Sequence, residues 1–549
     1  MAKRRIESPS APPETKRPRV CEERQYDTIY EPLPAGEFIR VLKLQPGDNN
    51  QDIDCSLEIV DIEQSKGSYE AISYVWGDPN DTVDVQCNGQ RVPITVSLSD
   101  ALRNFRHTSE PRVLWADALC INQEDKKEKG HQVKRMGEVY ANAKRTLVWL
   151  GCDDQNIAKD AFALILEANA YFADLFLKAG RSVYNMEPFT KPYPICMDEG
   201  TWLGVAKVFR FPWFGRVWTV QEAAIAEKCC MFWGSVSIDI ADVLELSIWI
   251  ETKPDFQDVL RGIVEQFPTF PSKRIALYFY YNIHQPERWQ QSRSGLAYLA
   301  TTFFKEKPFW ALLMEARPLE ASDPRDHVYA FLGCSAAITS AGRTFVEADY
   351  TPSIDDLNLR LTYALMEESA EAPFIFSAVT HNSRERLMGD MHPSWLPVWH
   401  VAGEYRPKIA EPTYWFQAGG ATELFTATQY GENGLSIIRV ARPGDQEAVM
   451  EVQERKDAIW VRRAFYDLGN ASVFLTRDGR IGLAPLGDLV EVGDVCCVIF
   501  GATVPFLLTP AEEGRHKLVS DCYIHGVMNG EIMEQFGESD LSKHRIVLE

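Results

Sequence analysis

Alternating apolar and polar positions open the structured part of this chain. FIRVLKLQPG and CSLEIVDIE alternate from Glu37 onward and both end in turn-formers, the pattern of half-buried strands. AISYVW (71–76) is almost continuously apolar and stops at Gly77-Asp78. A strand buried on both faces and followed by a loop reads this way. Asn88-Gly89 within DVQCNGQRVPI predicts a tight hairpin. Ser97 is placed to cap the next helix, with Leu98, Ala101, Leu102 and Phe105 on its inner face.

The alternation continues through VLWADALCI (113–121), read as a strand, and through Asn122–Asp125, which supplies cap and first-turn acids. Val133, Met136, Tyr140 and Ala143 then recur at helical spacing before the buried strand RTLVWLG (145–151). A helix follows over ALILEANAYF, and a later one around 216–228 runs into the strand CCMFWG. Strand–helix alternation specifies an α/β fold, a parallel sheet with helices on both faces. Ligands bind such sheets beyond the carboxyl ends of the strands. Those ends are expected at Trp76-Gly77-Asp78, Ile121-Asn122-Gln123 and Leu150-Gly151-Cys152. The last eighty or so residues return to a period of two. Asp478-Gly479, Gly493-Asp494 and Asn529-Gly530 punctuate them as turns, predicting a small antiparallel barrel or sheet.

Composition narrows the class. At 549 residues the chain is long enough for two or three domains. A hydrophobic share of 45% with 11% aromatics is that of a globular protein. The net charge of −21 and pI near 5.1 argue against direct nucleic-acid binding. The twelve cysteines form no CxxC and no zinc-spaced cluster, so no metal site is expected and they read as reduced core thiols. No uncharged apolar run reaches the roughly 18 residues of a membrane span. Lys3-Arg4-Arg5 and Lys16-Arg17-Pro18-Arg19 have the spacing of a bipartite import signal, which places the protein in the cytoplasm, the nucleus or both; a solvated disordered tail is the plainer reading. GxxxxGK[ST], GxGxxG after a strand, HExxH and GxSxG are all missing.

Three blocks carry a family likeness: YEAISYVWGD (69–78), LWADALCINQED (114–125) and FGRVWTVQEAA (214–224), with GHQVKRMGEVYANAKRTLVWLG between the last two. In this order they resemble the fungal heterokaryon-incompatibility (HET) domain. The likeness implies self/non-self recognition, programmed cell death, and a protein partner in that signalling. Composition and pattern set off a basic, proline-rich tail (1–30) and a helical region (236–345); the likeness implies a HET domain (36–235) with an insertion at about 152–212 and a C-terminal accessory region (346–549), which is β-rich from about 470. The HET domain is in turn similar to the Toll/interleukin-1 receptor (TIR) domain, which implies a TIR-like (flavodoxin-like) sheet and self-association. TIR domains open with a strand reading roughly F-I-S-Y, the place taken here by Ala71-Ile72-Ser73-Tyr74. In TIR domains that cleave NAD, the catalytic glutamate lies four residues after a tryptophan, on the helix before the fourth strand. Trp218 and Glu222 have that spacing, ahead of the strand at 229–233. NAD would then be a substrate, and no cofactor is expected.

Residues i and i+4 share a helix face, so Trp218 can stack over Glu222 and raise its pKa by desolvation. A single carboxylate can stabilise the oxocarbenium character that builds on the ribose as nicotinamide leaves. The plain alternative is a solvent-facing glutamate, or one paired with Arg216. Asp78 and Asp117 stand at or near strand ends; Asp117 either binds a ribose hydroxyl or caps a turn. Tyr74 and Trp76 either line a nucleotide pocket or belong to the core. Asn122 is explained by capping, and His131 and His327 read as structural. Three functions compete: an NAD-cleaving death effector, a non-enzymatic assembly module, and a nuclear regulator.

Overall fold

The computed structural model describes residues 29–48, 50–264 and 307–368, scattered residues in 267–303, parts of 375–400, and in the C-terminal part 427–430, 434–441, most of 471–528 and 544–549. Both basic clusters, the tail up to residue 28 and the Asn529-Gly530 turn lie outside the described residues.

The strands of the first half are β1 (Phe38–Leu44), β2 (Asp54–Asp61), β3 (Glu70–Tyr74), β4 (Thr82–Cys87), β5 (Gln90–Thr95), β6 (Arg112–Trp115), β7 (Thr146–Gly151), β8 (Cys229–Trp233) and β9 (Val236–Asp239). They form one nine-stranded sheet in the order β5-β4-β2-β1-β6-β3-β7-β8-β9. The expectation of a parallel sheet holds only at its centre, where β6, β3, β7 and β8 run parallel. The flanks are mixed: β2 and β4 are parallel, whereas β1–β2, β1–β6, β4–β5 and β8–β9 are antiparallel. The physical reason is connection length. Short links join β1 to β2, β4 to β5 and β8 to β9, and a parallel crossover needs a dozen residues or more. The link at Asn88-Gly89 has positive φ at both residues, 52° and 75°, as a tight two-residue hairpin requires.

The helix α1 (Val96–Phe105) is capped two residues earlier than expected. Thr95, not Ser97, accepts from the Leu98 N–H, while Leu98, Ala101, Leu102 and Phe105 are buried as expected. Residues 113–121 are not one strand. β6 stops at Trp115 and a helical turn, α2 (Asp117–Cys120), follows, because the Asp117 carboxylate takes the Ala118 N–H and the Cys120 N–H turns back to Ala116 O. The carboxyl end expected at Ile121-Asn122-Gln123 therefore falls at Trp115-Ala116. Two helices, α3 (Lys126–Lys134, capped by Asp125) and α4 (Met136–Asn142), replace one continuous helix, with the break at Arg135.

Beyond β7 come α5 (Ala158–Lys178), α6 (Glu199–Phe209) and the two-turn α7 (Trp218–Ala224), which is shorter than the helix expected over 216–228. Pro212–Gly215 forms a 3-10 turn ahead of α7. The sheet is covered on both faces. Along β7, Leu147 and Trp149 enter one core with α1 and α4; Val148 enters the other with α5, α6, α7 and α8 (Ile240–Thr252). That second core continues into Phe309–Ala316 and Asp326–Tyr329.

The remaining described strands are β10 (Ala427–Tyr430), β11 (Gly434–Ala441), β12 (Ala471–Leu475), β13 (Ile481–Pro485), β14 (Val495–Ile499), β15 (Pro505–Pro510), β16 (Arg515–Asp521), β17 (Tyr523–Ile524) and β18 (His544–Leu548), of which β12, β13 and β17 form a small sheet of their own. Pairing runs β11–β14–β15–β16–β18 and returns from β18 to β11, so five strands close into a ring. All pairs in it are antiparallel except β16–β18. Closure removes the edges that an open sheet would leave. Cys497, Ile499, Phe506 and Leu508 point to one side, Val498 and Leu507 to the other, the period of two expected here. Among the described residues no helix is long and apolar enough to cross a membrane.

Candidate functional site

The parallel centre has the strand order β6-β3-β7-β8. Numbered by first appearance in the chain, that order is second, first, third, fourth. Ligands in such sheets bind where the order reverses, beside the carboxyl end of the first strand. Here that end is Ser73 and Tyr74 of β3. α7 crosses next to it, held to β7 by the Thr146 hydroxyl, which donates to Glu222 O at 3.0 Å.

Glu222 faces β3. Its carboxylate accepts a hydrogen bond from the Ser73 hydroxyl, and Ser73 Oγ accepts from Trp213 Nε1 at 2.7 Å. All three side chains are buried; Glu222 is 4% exposed and Trp213 0%. Burial pushes the Glu222 carboxyl up to about 7, against the opposing pull of Arg216 and of the Ser73 hydrogen bond; the nearby Asp117 adds to the rise.

Three of the expected site residues, Tyr74, Trp76 and Asp117, converge with Glu222 around the Arg216 guanidinium. Arg216 donates to Tyr74 O and acts electrostatically on Glu222, Asp117, Tyr74 and Tyr140. Trp76 Nε1 donates to Asp117 Oδ2 at 2.9 Å. Burial raises the Asp117 carboxyl, while Arg216 and the hydrogen bond from Trp76 oppose the rise. The Tyr74 hydroxyl is buried beside Asp117 without a hydrogen bond of ordinary geometry, and burial raises it well above the usual phenol range. Asp117 also receives the Ala118 N–H at 2.8 Å, so the capping alternative describes part of its role.

Two expected residues sit apart from this convergence. Asp78 is exposed and accepts from the backbone and the side chain of Asn80, both at 2.9 Å, closing its own turn and lowering its pKa. Trp218 reaches the Asp326 carboxylate, which also accepts from Tyr350 Oη at 2.7 Å. The indole linked to Glu222 is that of Trp213, through Ser73. In the sequence Ser73 reads only as part of an opening strand, and nothing near Pro212 marks Trp213 as a partner. His131 is exposed; His327 is buried, which lowers its pKa to about 4.

Two stretches match known families. Residues 69–222 match the family described as heterokaryon incompatibility protein (HET), and residues 421–541 match the Het-6 beta-barrel domain. The chain is a fungal-type HET-domain protein: the HET match runs from β3 to α7 through the middle of the mixed sheet, and the Het-6 barrel match takes in the strands of the closed ring other than β18. It is similar to the curated "Heterokaryon incompatibility protein 6, OR allele" of Neurospora crassa, with 25% identity over 376 residues. That alignment covers 60% of this chain and 51% of the relative, so the chain spans about half the length of the protein it matches. No solved structure matches it.

Proposed function

We propose that this chain acts in heterokaryon incompatibility, that its HET domain is the unit that triggers cell death, and that it does so by TIR-like cleavage of NAD at Glu222. The observation that carries this reading is the Glu222 carboxyl, pushed up to about 7 beside Ser73 at the reversal of strand order. A carboxyl with that pKa is available in either protonation state at neutral pH. As the carboxylate it offsets positive charge developing on the ribose when the nicotinamide–ribose bond breaks. Arg216, Asp117 and Trp76 ring the same strand end and supply charge and an aromatic face for a dinucleotide. The strand order second-first-third-fourth is that of flavodoxin-like sheets, which favours the TIR-like reading of the parallel centre. Self-association brings the effector units together, and the C-terminal barrel recognises the non-self partner.

A second reading is favoured by the 4% exposure of Glu222. A carboxyl covered this well fits an assembly module in which Glu222 only seats α7. The two separate in one assay: nicotinamide release from NAD by the full chain at high concentration, wild type against Glu222→Gln, with folding checked by circular dichroism. Release that vanishes in the folded variant supports cleavage. A wild type that releases nothing, even when crosslinked into oligomers, overturns cleavage and leaves the assembly module.

A further inference from the structure

α7 is poorly held by its own sequence. It has seven residues and no side-chain cap at its N-terminus. Isolated helices this short are not stable in water. Three of its six buried residues, Thr219, Gln221 and Glu222, are polar, so apolar burial supplies only part of what seats it.

A segment a hundred residues downstream supplies much of the rest. Glu320 pairs with the chain entering α7: Val217 N donates to Glu320 O at 2.9 Å, and Glu320 N donates to Gly215 O at 2.7 Å. Asp326 accepts a hydrogen bond from Tyr350 Oη at 2.7 Å, and Trp218, the first residue of α7, acts on the same carboxylate and lowers its pKa against the rise from burial. Tyr350 is fixed in turn by Arg325, whose guanidinium lies over its ring and donates to Tyr350 O at 2.7 Å and Pro352 O at 2.9 Å. Lys134 of α3 and Glu347 tie the same segment to the HET domain at 2.7 Å. The residues it grips, Gly215 to Trp218, include Arg216, the cation of the candidate site.

We propose that residues 319–350 form a clasp that keeps α7 seated on β3 with Glu222 covered, and that its release uncovers the site; Trp218 and Asp326 are the positioning residues of this clasp. The proposal rests on the reading of Glu222 as the functional carboxyl. It explains how a carboxyl sealed in the resting chain is reached, and why α7 is coupled to a segment outside the matched 69–222 stretch. Opening of a short, half-polar helix is the kind of local unfolding that costs less than global unfolding.

The test uses the full chain as wild type, Asp326→Ala and the milder Tyr350→Phe. Amide hydrogen exchange is read at 217–225, with the barrel strand Arg515–Asp521 as reference. Labelling of the Glu222 carboxyl by carbodiimide and an amine is read by mass spectrometry. The expected result is exchange about tenfold faster in α7 for Asp326→Ala, as for loss of one hydrogen bond to a charged group, a smaller rise for Tyr350→Phe, no change in the barrel, and faster labelling of Glu222. Unchanged exchange in α7 for both variants, or an equal rise in α7 and the barrel, overturns the clasp. Nicotinamide release measured on the same samples keeps the two readings apart. A loosened α7 with labelled Glu222 and no release leaves the clasp and removes cleavage. Release with unchanged α7 exchange leaves cleavage and removes the clasp.

Discussion

Two buried glutamates stand at opposite ends of the same strand and are held in opposite ways. Glu70 begins β3 and receives Arg112 Nε and Arg145 Nε, each at 2.5 Å, one on either carboxylate oxygen. Burial alone would raise its carboxyl, but the hydrogen bonds from the two arginines outweigh burial and hold it below the usual range. Glu222 meets the other end of β3, where its partners are a hydroxyl and, through it, an indole. Burial wins there and the carboxyl rises to about 7. The amino end of the strand is thus built as a fully paired ion cluster joining β3, β6 and the start of β7. The carboxyl end is left underpaired, with its nearest cation, Arg216, shared among several acceptors. In open α/β sheets the carboxyl end is the one that binds ligands, and the contrast here follows that division.

The comparison can be broken in several ways. The largest effect is expected at the paired end. Glu70→Ala leaves two buried or half-buried arginines without their carboxylate and is expected to destabilise the fold by about 3 kcal/mol in urea unfolding. A loss no greater than that of an ordinary surface change would show that the ion cluster does not hold the strands.

Next comes the pH dependence, in which the two ends have opposite signs. Glu222 is raised when folded, so the stability it contributes is full below about pH 4.5, the ordinary carboxyl value, and is lost as the pH rises through about 7. Glu70 is lowered when folded, so its contribution is full above the ordinary value and is lost as the pH falls through the lowered one. Relative to Glu222→Gln, the wild type is expected to lose on the order of 2 kcal/mol between pH 5 and pH 8. Urea midpoints of the two proteins at both pH values check this. Parallel curves would place the Glu222 carboxyl at an ordinary pKa.

Trp213→Phe removes the N–H that orients Ser73 and some ring volume, with an expected loss of about 1–2 kcal/mol. Its sharper readout is the Glu222 titration, followed by carbon-13 NMR of the labelled carboxyl, which should move because Ser73 is freed to turn. Gly89→Ala is the smallest change and the control. Gly89 has φ 75° with nothing within 4 Å of an added Cβ, so the expected loss of about 1 kcal/mol is backbone strain alone. It should leave both titrations where they are.

Much of this arrangement is legible in the chain. The apolar run 71–76, the inner face of α1, the Asn88-Gly89 turn and the period-two segments near the C-terminus all declare their elements through local pattern, because solvent exclusion acts on every second or every third-to-fourth residue. The HET blocks declare the family, and the helix-before-strand position of Glu222 marks it for attention. The misread stretch, 113–121, is instructive: an apolar run looks like a strand until a single aspartate turns it, and Asp117 does so through its own side chain.

What local pattern leaves open is who meets whom. Whether neighbouring strands run parallel or antiparallel depends on connection length and packing, and the flanks of the sheet take the direction their short links permit. Glu70 and Glu222 are chemically identical, and nothing in their neighbours along the chain separates a carboxylate held down by Arg112 and Arg145 from one raised beside Ser73, 149 residues away. Desolvation and pairing belong to a place in the folded molecule. They exist only once distant segments have closed around the group, and they decide the charge that each glutamate carries.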